Sequence, residues 1–262
     1  MKSPLLASAV FALASHAASA ALVAHWPLDS NASDASGNGH NGAVVGSTVT
    51  FGQPAAPGLS GSSADFQGNG HIDVPWAAAL NPGTQAPAGS GSFSVTLWTY
   101  PTAVGGAHRS PFTSREDNGA SVNGPIIYNA PNGRWEYWAG NNGPSGAWNP
   151  IDGGAVIGDT WTHVAITYDA ATTTRRMFLN GSETVSSVGG VSANLLRSLH
   201  IGSGQDDGNN FHWAGRIDDV GFWSTALSQS EIQGVLTNGI PEPTLPALLG
   251  LAGSLFLARR RR

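Results

Sequence analysis

The chain has 262 residues, a formal net charge of −5 and no cysteine, and only 11% of its residues are charged. The missing thiols exclude disulfide bonds, thiolate zinc sites and cysteine catalysis. Residues 21–240 hold 16 acidic side chains against seven arginines and no lysine, a balance that predicts no nucleic-acid partner.

The first 20 residues have the features of a secretory signal peptide. A single early charge, Lys2, precedes the apolar stretch Leu5–Ala14, and the small residues Ala18-Ser19-Ala20 end the segment. The stretch is too short and too rich in alanine for a membrane span. We therefore expect a signal helix over residues 1–20, removed by signal peptidase, followed by one domain over residues 21–239.

Residues between the two ends alternate with period two, a pattern typical of antiparallel strands. The clearest runs are Phe93–Trp98 and Trp161–Tyr168, and their tryptophans Trp98 and Trp161 are expected in the core. The same alternation predicts that His163 is a hydrogen-bonded strand residue and not a metal ligand.

Sequences typical of turns and of a helix cap lie between and after these strands. Asn180-Gly181 predicts a type I′ hairpin, because both central positions of that turn require positive φ, and Asn132-Gly133 predicts another. Pro82–Gly91 is expected to be a long surface loop. The one predicted helix covers Ser228–Leu236, where Ser228 and Glu231 form a capping box.

Four segments carry a family resemblance through their order and spacing. They are Leu22–Asp29 with Asp34–Gly42, Ala64–Pro75, Trp161–Gly181, and Ile201-Gly202 with Gly215–Ile232. Together they resemble the LamG-like jelly rolls of the concanavalin A-like lectin/glucanase superfamily. The resemblance implies an all-β antiparallel jelly-roll sandwich of two curved sheets, with the first and last strands adjacent.

The loop over residues 34–42 has oxygen donors of the kind that calcium prefers. In the family that the chain resembles, a structural calcium commonly lies near this loop, and a carboxylate from the Ile217–Val220 strand completes its site. Strand alternation predicts that Asp219 shares the face of Ile217 and that Asp218 points the other way. The expected ligands are Asp34, Asn38, His40, Asp218 and Asp219.

Two alternatives to this calcium site stay open. Asp34 also suits an Asx turn, with the second carboxylate simply on the surface. Gln205–Gly208 could also supply the calcium ligands, although its composition is more typical of a solvated loop.

An aromatic group lies beside the polar loop Gly140–Gly143. Trp135 and Tyr137 share one face of their strand and are expected in the core, so that Trp138 faces outward. Sugars stack on such exposed rings, and amide side chains fix their orientation. The candidate ligand-binding residues are Trp138, Asn141, Asn142 and Trp148; the alternative is that these rings also belong to the core.

The carboxylates do not follow a catalytic pattern. A retaining glycosidase needs two carboxyl groups about 5–5.5 Å apart, which two acids on one face of a strand can supply. Glu116-Asp117 are adjacent acids in a stretch expected to be a loop, and Glu136 is the other glutamate of the central half. We therefore predict no enzymatic activity.

The C-terminal segment, residues 240–262, predicts where the protein works. Pro241-Glu242-Pro243 precedes the apolar run Leu245–Ala258, and an arginine cluster closes the chain: Arg259, Arg260, Arg261 and Arg262. As a helix the run would be about 21 Å long against a hydrocarbon core of about 30 Å, a weak permanent anchor but a sufficient transient one. The arginines resist crossing a bilayer.

This order resembles the PEP-CTERM sorting signal of Gram-negative bacteria. The resemblance implies a short transmembrane helix, transient insertion in the inner membrane, and cleavage by an exosortase near Pro241–Pro243; a plain tail anchor is the alternative. We thus expect an exported, non-catalytic LamG-like domain that binds polysaccharide or a protein at the cell surface or in the extracellular matrix. The alternatives are a structural envelope or matrix protein without a discrete ligand, or a divergent glycan hydrolase or lyase.

Overall fold

Two antiparallel sheets packed face to face make up the protein. The computed structural model describes residues 22–82, 91–204 and 211–241. The predicted signal peptide, the Gln205–Gly208 loop, most of the Pro82–Gly91 loop and the sorting segment beyond Pro241 lie outside the described residues. The all-β jelly-roll prediction is confirmed for the rest.

The strands follow one another with short connections and little helix between them. In chain order they are β1 Leu22–Trp26, β2 Ala43–Val45, β3 Val49–Pro54, β4 Ser62–Phe66, β5 His71–Val74, β6 Phe93–Pro101, β7 Arg109–Thr113, β8 Glu116–Asp117, β9 Val122–Asn129, β10 Arg134–Gly143, β11 Asn149–Ala155, β12 Thr162–Asp169, β13 Thr174–Leu179, β14 Ser182–Val188, β15 Leu199–Ile201 and β16 Gly215–Trp223. A 3₁₀ turn at Ala78–Leu80 and helix α1, Gln229–Asn238, complete the described elements.

The first sheet has the order β14-β13-β12-β6-β16-β4-β3, and β1 also pairs with β16. The predicted neighbourhood of the first and last strands is therefore confirmed. The second sheet has the order β11-β10-β9-β7-β15-β5-β2, and β8 pairs with β9. Glu116-Asp117 thus form a short strand, so the prediction of a loop there is wrong.

Aromatic rings fill the space between the sheets. Trp135 and Trp213 stack with centroids 5.9 Å apart, and Phe93 and Phe222 stack at the same separation. Tyr137, like Trp135, is fully buried in this core, as its position in β10 predicted. Burial of large rings supplies most of the stabilisation of such a sandwich, since each removes roughly 150–250 Å² from water.

Of the two tryptophans expected in the core, Trp98 is buried as predicted, although its ring lies on the outer face of the first sheet against that of His163. Trp161 is only partly buried and packs edge-on against Tyr100, with the guanidinium of Arg216 over its ring. Alternation was correct for the strands, but it does not say which face is the inner one.

Helix α1 covers part of the outer face of the first sheet. Ser228 caps it by accepting a hydrogen bond from the backbone N–H of Glu231, and Glu231 accepts one from the backbone of Ser228. The predicted capping box is confirmed. A second apolar cluster lies beneath the helix: Ala165, Phe178, Trp223, Leu227, Ile232, Val235 and Ile240. No helix in the described part of the chain is long and apolar enough to cross a membrane.

The two predicted hairpins form, but through different turns. Asn180 and Gly181 both have positive φ, 48° and 76°, as a type I′ turn requires. In the β9–β10 hairpin only Gly133 has positive φ, and the backbone N–H of Ala130 bonds the carbonyl of Arg134 across a four-residue loop. The type I′ prediction for Asn132-Gly133 is therefore wrong.

His163 is buried, and neither of its ring nitrogens has a hydrogen-bond partner. The predicted hydrogen bonding of this strand residue involves its backbone and not its ring: the N–H of His163 donates to the side chain of Asn180 at 2.9 Å. Burial lowers the pKa of His163 to about 4, against the opposing effect of the Asp219 charge. The ring is consequently neutral in the folded protein at neutral pH.

We predict that acid destabilises the protein partly through His163. An unfolded histidine takes up a proton near pH 6.5, whereas the folded one does so only near pH 4, so the free energy of unfolding falls as the pH drops through that interval. His163→Phe should make this pH dependence shallower, because up to one fewer proton is taken up when the variant unfolds. Thermal unfolding between about pH 4 and 7.5 measures the change in slope. An unchanged slope in a folded variant would show that His163 titrates normally.

Candidate functional site

The outer face of the second sheet carries the candidate site, because strand register directs alternate side chains of β10 there. Tyr137 pairs with Ile127, and both point into the core. Their neighbours Glu136 and Trp138 therefore point outward, and Glu136 pairs with Tyr128 of β9. The prediction that Trp138 faces outward agrees with this geometry.

Four rings form a cluster on that face, in which the contact between His108 and Tyr128 is tilted and the others are edge-to-face. The His108 ring centroid lies 4.9 Å from that of Tyr128 and 5.3 Å from that of Trp138. Tyr128 and Trp138 are 5.4 Å apart, and Phe211 lies 5.5 Å from Tyr128. Trp148 extends the cluster at 6.3 Å from Trp138. The mutual contacts hold the rings in place before any ligand arrives.

A polar side completes the cavity. Arg115 pairs with Asp117 at 3.1 Å, and its Cζ lies 5.0 Å from the centre of the Trp148 ring. The hydroxyl of Ser145 donates to Asp117 at 2.9 Å. The cavity has a volume of about 350 Å³ and is lined by His108, Arg115, Asp117, Tyr128, Trp138, Ser145, Gly146, Trp148 and Phe211.

Electrostatics leave the cavity close to neutral. Burial lowers the pKa of His108, although Glu136 acts in the opposite sense, so the imidazole is uncharged at neutral pH. Burial opposes ionisation of Asp117, but hydrogen bonds from Ser145 and Gly119 and the charge of Arg115 together lower its pKa. Asp117 therefore balances Arg115 and keeps free lone pairs that can accept hydrogen bonds.

The indole of Trp138 is fixed by a hydrogen bond. Its Nε1 donates to Oε2 of Glu136 at 2.6 Å, and Asn132 donates to the other carboxylate oxygen at 3.2 Å. Trp138 and Trp148 remain half-buried. Both rings are thus oriented on the sheet and still partly accessible to solvent.

Of the four predicted ligand-binding residues, the structure brings two together. Trp138 and Trp148 share the cavity, whereas Asn141 and Asn142 are exposed beyond its lining. Asn141 accepts a hydrogen bond from Gly143, and Asn142 adopts positive φ, 63°, so both shape the end of β10.

Sequence reasoning missed the other lining residues. Tyr128 could have been found from strand parity, since it lies two residues beyond Ile126, which pairs with the outward Trp138. His108 and Phe211 lie in connections between strands, where the alternation of inward and outward side chains does not apply. Phe211 also adopts positive φ, 43°, a rare conformation for an aromatic residue.

The loop expected to bind calcium is closed by its own hydrogen bonds. The carboxylate of Asp34 accepts three backbone N–H groups, from His25 and Ser36 at 2.9 Å and from His40 at 2.8 Å. The side-chain amide of Asn38 donates to the carbonyl of Val23 at 2.9 Å. These contacts fasten the loop to β1 and match the Asx-turn alternative for Asp34.

Asp218 and Asp219 lie apart from that loop, in a second cavity. The register of β16 shifts between Asp218 and Gly221, and Asp219 has positive φ, 51°. This bulge turns both carboxylates to the same side, so the prediction that they point to opposite faces is wrong. Their cavity, of about 400 Å³, is also lined by Asp29 and the Gly58–Ser60 loop.

Backbone groups hold the two acids of this second cavity. Asp218 accepts hydrogen bonds from the backbone N–H groups of Ala56, at 2.8 Å, and of Asp219. Asp219 accepts one from the backbone N–H of Ile240 at 3.2 Å and bonds Nε2 of His25 at 2.7 Å. Burial, together with the charges of Asp219 and Asp29, raises the pKa of Asp218 to about 7. Among the described residues, no group of three or more acidic or histidine side chains is placed so that it could hold a metal ion.

Solved structures show what this fold resembles. Domain 4 of AbnA, a GH43 extracellular arabinanase from Geobacillus stearothermophilus, in complex with arabinotriose, is 24% identical with a TM-score of 0.60, and the match covers 83% of this chain and 98% of that domain. The binding domain of Paraclostridial Mosquitocidal Protein 1 is 18% identical with a TM-score of 0.58, over 82% of this chain and 51% of that one.

A third match is the binding domain of Botulinum Neurotoxin DC in complex with SialylT, 14% identical with a TM-score of 0.58, over 84% of this chain and 51% of that one. The chain thus spans about half the length of the toxin domains. No curated protein matches the sequence. Residues 66–233, more than half of the chain, match a laminin G family model, and the protein therefore belongs to the concanavalin A-like lectin/glucanases superfamily.

Proposed function

We propose that this protein is an exported, non-catalytic carbohydrate-binding protein and that its sugar stacks on Trp138 and Trp148. The observation that carries the proposal is the pair of half-buried tryptophans held in one cavity beside a polar wall. The solved domains in complex with arabinotriose and SialylT support it, since they have the same fold.

The cavity has the two components that sugar recognition requires. The Trp138 and Trp148 rings offer apolar surface to the C–H face of a sugar. The carboxylate of Asp117 and the hydroxyl of Ser145 offer hydrogen bonds to its hydroxyl groups. Because Arg115 and Asp117 neutralise each other, the site favours neutral sugars over phosphate polymers.

The absence of catalysis belongs to the proposal. Glu136 is held by the indole N–H of Trp138 and the amide of Asn132. Glu116 accepts the backbone N–H of Leu195 at 2.7 Å and the amide of Asn118 at 3.3 Å. Both glutamates therefore have a structural role, because their hydrogen bonds hold the walls and loops of the site. We propose no catalytic role for either of them.

We also propose a structural calcium, in the cavity of Asp218 and not at Asp34. A buried carboxyl group next to two further carboxylates suits a divalent cation, which would relieve their repulsion. Asp218 and Asp219 would hold the ion together with backbone carbonyl groups of the Gly58–Ser60 loop, which lines the same cavity. The ion would tie β16 to that loop and to the end of β1.

Both chain termini support export as part of the proposal. Signal peptidase would act after Ala20, and an exosortase would act near Pro241–Pro243 during transient insertion in the inner membrane. The mature protein would then work at the surface of a Gram-negative bacterium or in its extracellular matrix.

We predict that Trp138→Ala and Trp148→Ala each weaken glycan binding about 2- to 10-fold, because each removes one stacking surface. Binding of the full-length chain to a panel of neutral oligosaccharides, arabino-oligosaccharides included, measures this. Both variants should melt close to the wild type. The control Trp135→Ala removes a core ring of the same strand and should cost about 3–5 kcal/mol of stability.

If the wild type binds no glycan in the panel, the protein is a matrix component or a binder of proteins. If it releases shortened or unsaturated products, and Glu136→Gln or Glu116→Gln stops that release, it is an enzyme.

We predict that calcium raises the melting temperature and that Asp218→Asn abolishes the rise. An ion that binds only the folded state stabilises it by about 2.7 kcal/mol at a hundredfold excess over Kd. Asp34→Asn should lower the melting temperature equally with calcium and with chelator, because it weakens the loop and not the ion site. The reverse pattern would place the ion at the loop, as the sequence predicted.

Intact mass of the exported protein tests its processing. We expect a species that begins at Ala21 and lacks Arg259–Arg262. A mature extracellular species that retains the four arginines would contradict handling by an exosortase.

A further inference from the structure

Three histidines pack together on the outer face of the second sheet, beside the aromatic cavity. His71 of β5 lies at the centre of the group. Its ring centroid is 4.5 Å from that of His200 in β15 and 6.3 Å from that of His212. His212 directly follows Phe211, one of the residues that line the cavity. The three histidines are therefore connected to the cavity through a single peptide bond.

The group has few hydrogen-bond partners. Nε2 of His200 bonds the carboxylate of Asp73 at 3.1 Å, and its Nδ1 lies 3.3 Å from the hydroxyl oxygen of Ser203. The Nδ1 atoms of His71 and His212 are buried and have no hydrogen-bond partner. A proton added to either of these two atoms would be buried without an acceptor, which is costly.

The strands and loops around the three rings bring little charge to them. β2 pairs with β5 through Ala43–Val45, none of which ionises, and β7 places Thr113 in register with β15. Arg109, at the start of β7, donates to a carbonyl group of the preceding loop. His108 contacts the ring of Phe211 from the cavity side, at 5.8 Å between centroids. Among the described residues, one carboxylate therefore faces three imidazole rings.

Burial and mutual repulsion keep these rings uncharged at neutral pH. Burial lowers the pKa of His71 and that of His212, and a charge on His71 lowers the pKa of His212 further. Burial and the charge of His71 lower the pKa of His200 to about 4, against the opposing effect of Asp73. A histidine in water titrates near pH 6.5. Acid therefore favours any arrangement in which the rings separate, as the pH falls from about 6.5 towards 4.

The backbone next to the three rings is strained. Phe211 has a φ of 43°, in a region that bulky side chains rarely adopt. Its carbonyl accepts the backbone N–H of Ser110 at 2.9 Å, and its ring packs edge-on against that of Tyr128. Strain of this kind persists only while the surroundings enforce it. The contact of His212 with His71 is one of the restraints that do so.

We propose that His71, His200 and His212 form an acid-sensitive switch that holds Phe211 in the wall of the aromatic cavity. At neutral pH the uncharged rings pack together and the wall is complete. In acid the protonated rings repel one another, His212 moves away, and Phe211 relaxes and leaves Tyr128. The cavity thus binds its ligand at neutral pH and releases it in acid. The release of a sugar rests on the function proposed above, whereas the movement of Phe211 does not.

Amide hydrogen exchange of the full-length chain, followed by NMR without any ligand, tests the movement. The N–H of Ser110 reports on it, because this group bonds the carbonyl of Phe211. After correction for the intrinsic exchange rate, its protection should fall about tenfold or more between pH 7.5 and pH 5. The N–H of Ala130, which bonds Arg134 within the β9–β10 hairpin, is the control and should keep its protection.

Matched variants assign the effect to the three histidines. His71→Phe and His212→Phe each keep a ring but remove a titrating group, so Ser110 should stay protected at pH 5 in both. His163→Phe removes a buried histidine of the first sheet and should leave the response of Ser110 unchanged, although it alters the pH dependence of global stability. If His71→Phe does not fold, His212→Phe decides.

Binding of a neutral oligosaccharide at the same two pH values tests the consequence. The Kd of the wild type should be about tenfold higher at pH 5 than at pH 7.5. In His71→Phe the two values should agree within about twofold. If the difference instead disappears in His108→Phe and persists in His71→Phe, the titrating group lies in the cavity itself and the switch is refuted.

Two results on the amides would overturn the proposal. One is a protection of Ser110 that does not change between pH 7.5 and pH 5. The other is a loss of protection that is equal in the wild type, His71→Phe and His212→Phe. A response of Ser110 that both variants abolish, in a protein that binds no glycan, would support the switch and refute only the sugar.

Discussion

The alternation of side chains along β10 is the constraint on which the candidate site depends. Trp135 and Tyr137 are needed inside, because they fill the space between the sheets against Trp213 and Arg175. Once they point inward, Glu136 and Trp138 must point outward, since neighbouring residues of a strand lie on opposite faces. The same packing that stabilises the sandwich thus places an indole and its carboxylate partner on the surface.

Features that arise from periodicity could be predicted from the sequence, whereas features that depend on a local irregularity could not. The sheets, the Asn180-Gly181 turn and the Ser228 cap each rest on a few consecutive residues, and each was found. The bulge at Asp219 rests on a shift of register against β6, which no alternation pattern in a single strand reveals. That one positive φ changed the proposed calcium site from a shared loop to a separate cavity.

Other misses have the same physical origin. Trp161 alternates like a core residue, but the inner face begins one residue later in the chain, at Thr162 and Val164. His108 and Phe211 reach the aromatic cavity from connections between strands, and tertiary packing alone brings them to Tyr128. The candidate site could therefore be half predicted: its two tryptophans came from sequence, and its remaining walls required the fold.

The two cavities of this sandwich differ in their electrostatics. Asp218 lies near two other carboxylates, whose charges act with burial to raise its pKa. In the aromatic cavity the charges are already balanced, because Asp117 pairs with Arg115. That balance leaves stacking and hydrogen bonding as its means of recognition, which is why we assign it to a neutral sugar.

A crystal structure of the protein with a neutral oligosaccharide tests most directly whether a sugar binds in the aromatic cavity. The oligosaccharide is one that binds in the panel of neutral sugars. We expect a sugar ring in van der Waals contact with Trp138 or Trp148 and a sugar hydroxyl group hydrogen-bonded to Asp117 or Ser145. A sugar bound elsewhere on the sandwich, with this cavity filled only by water, would contradict it.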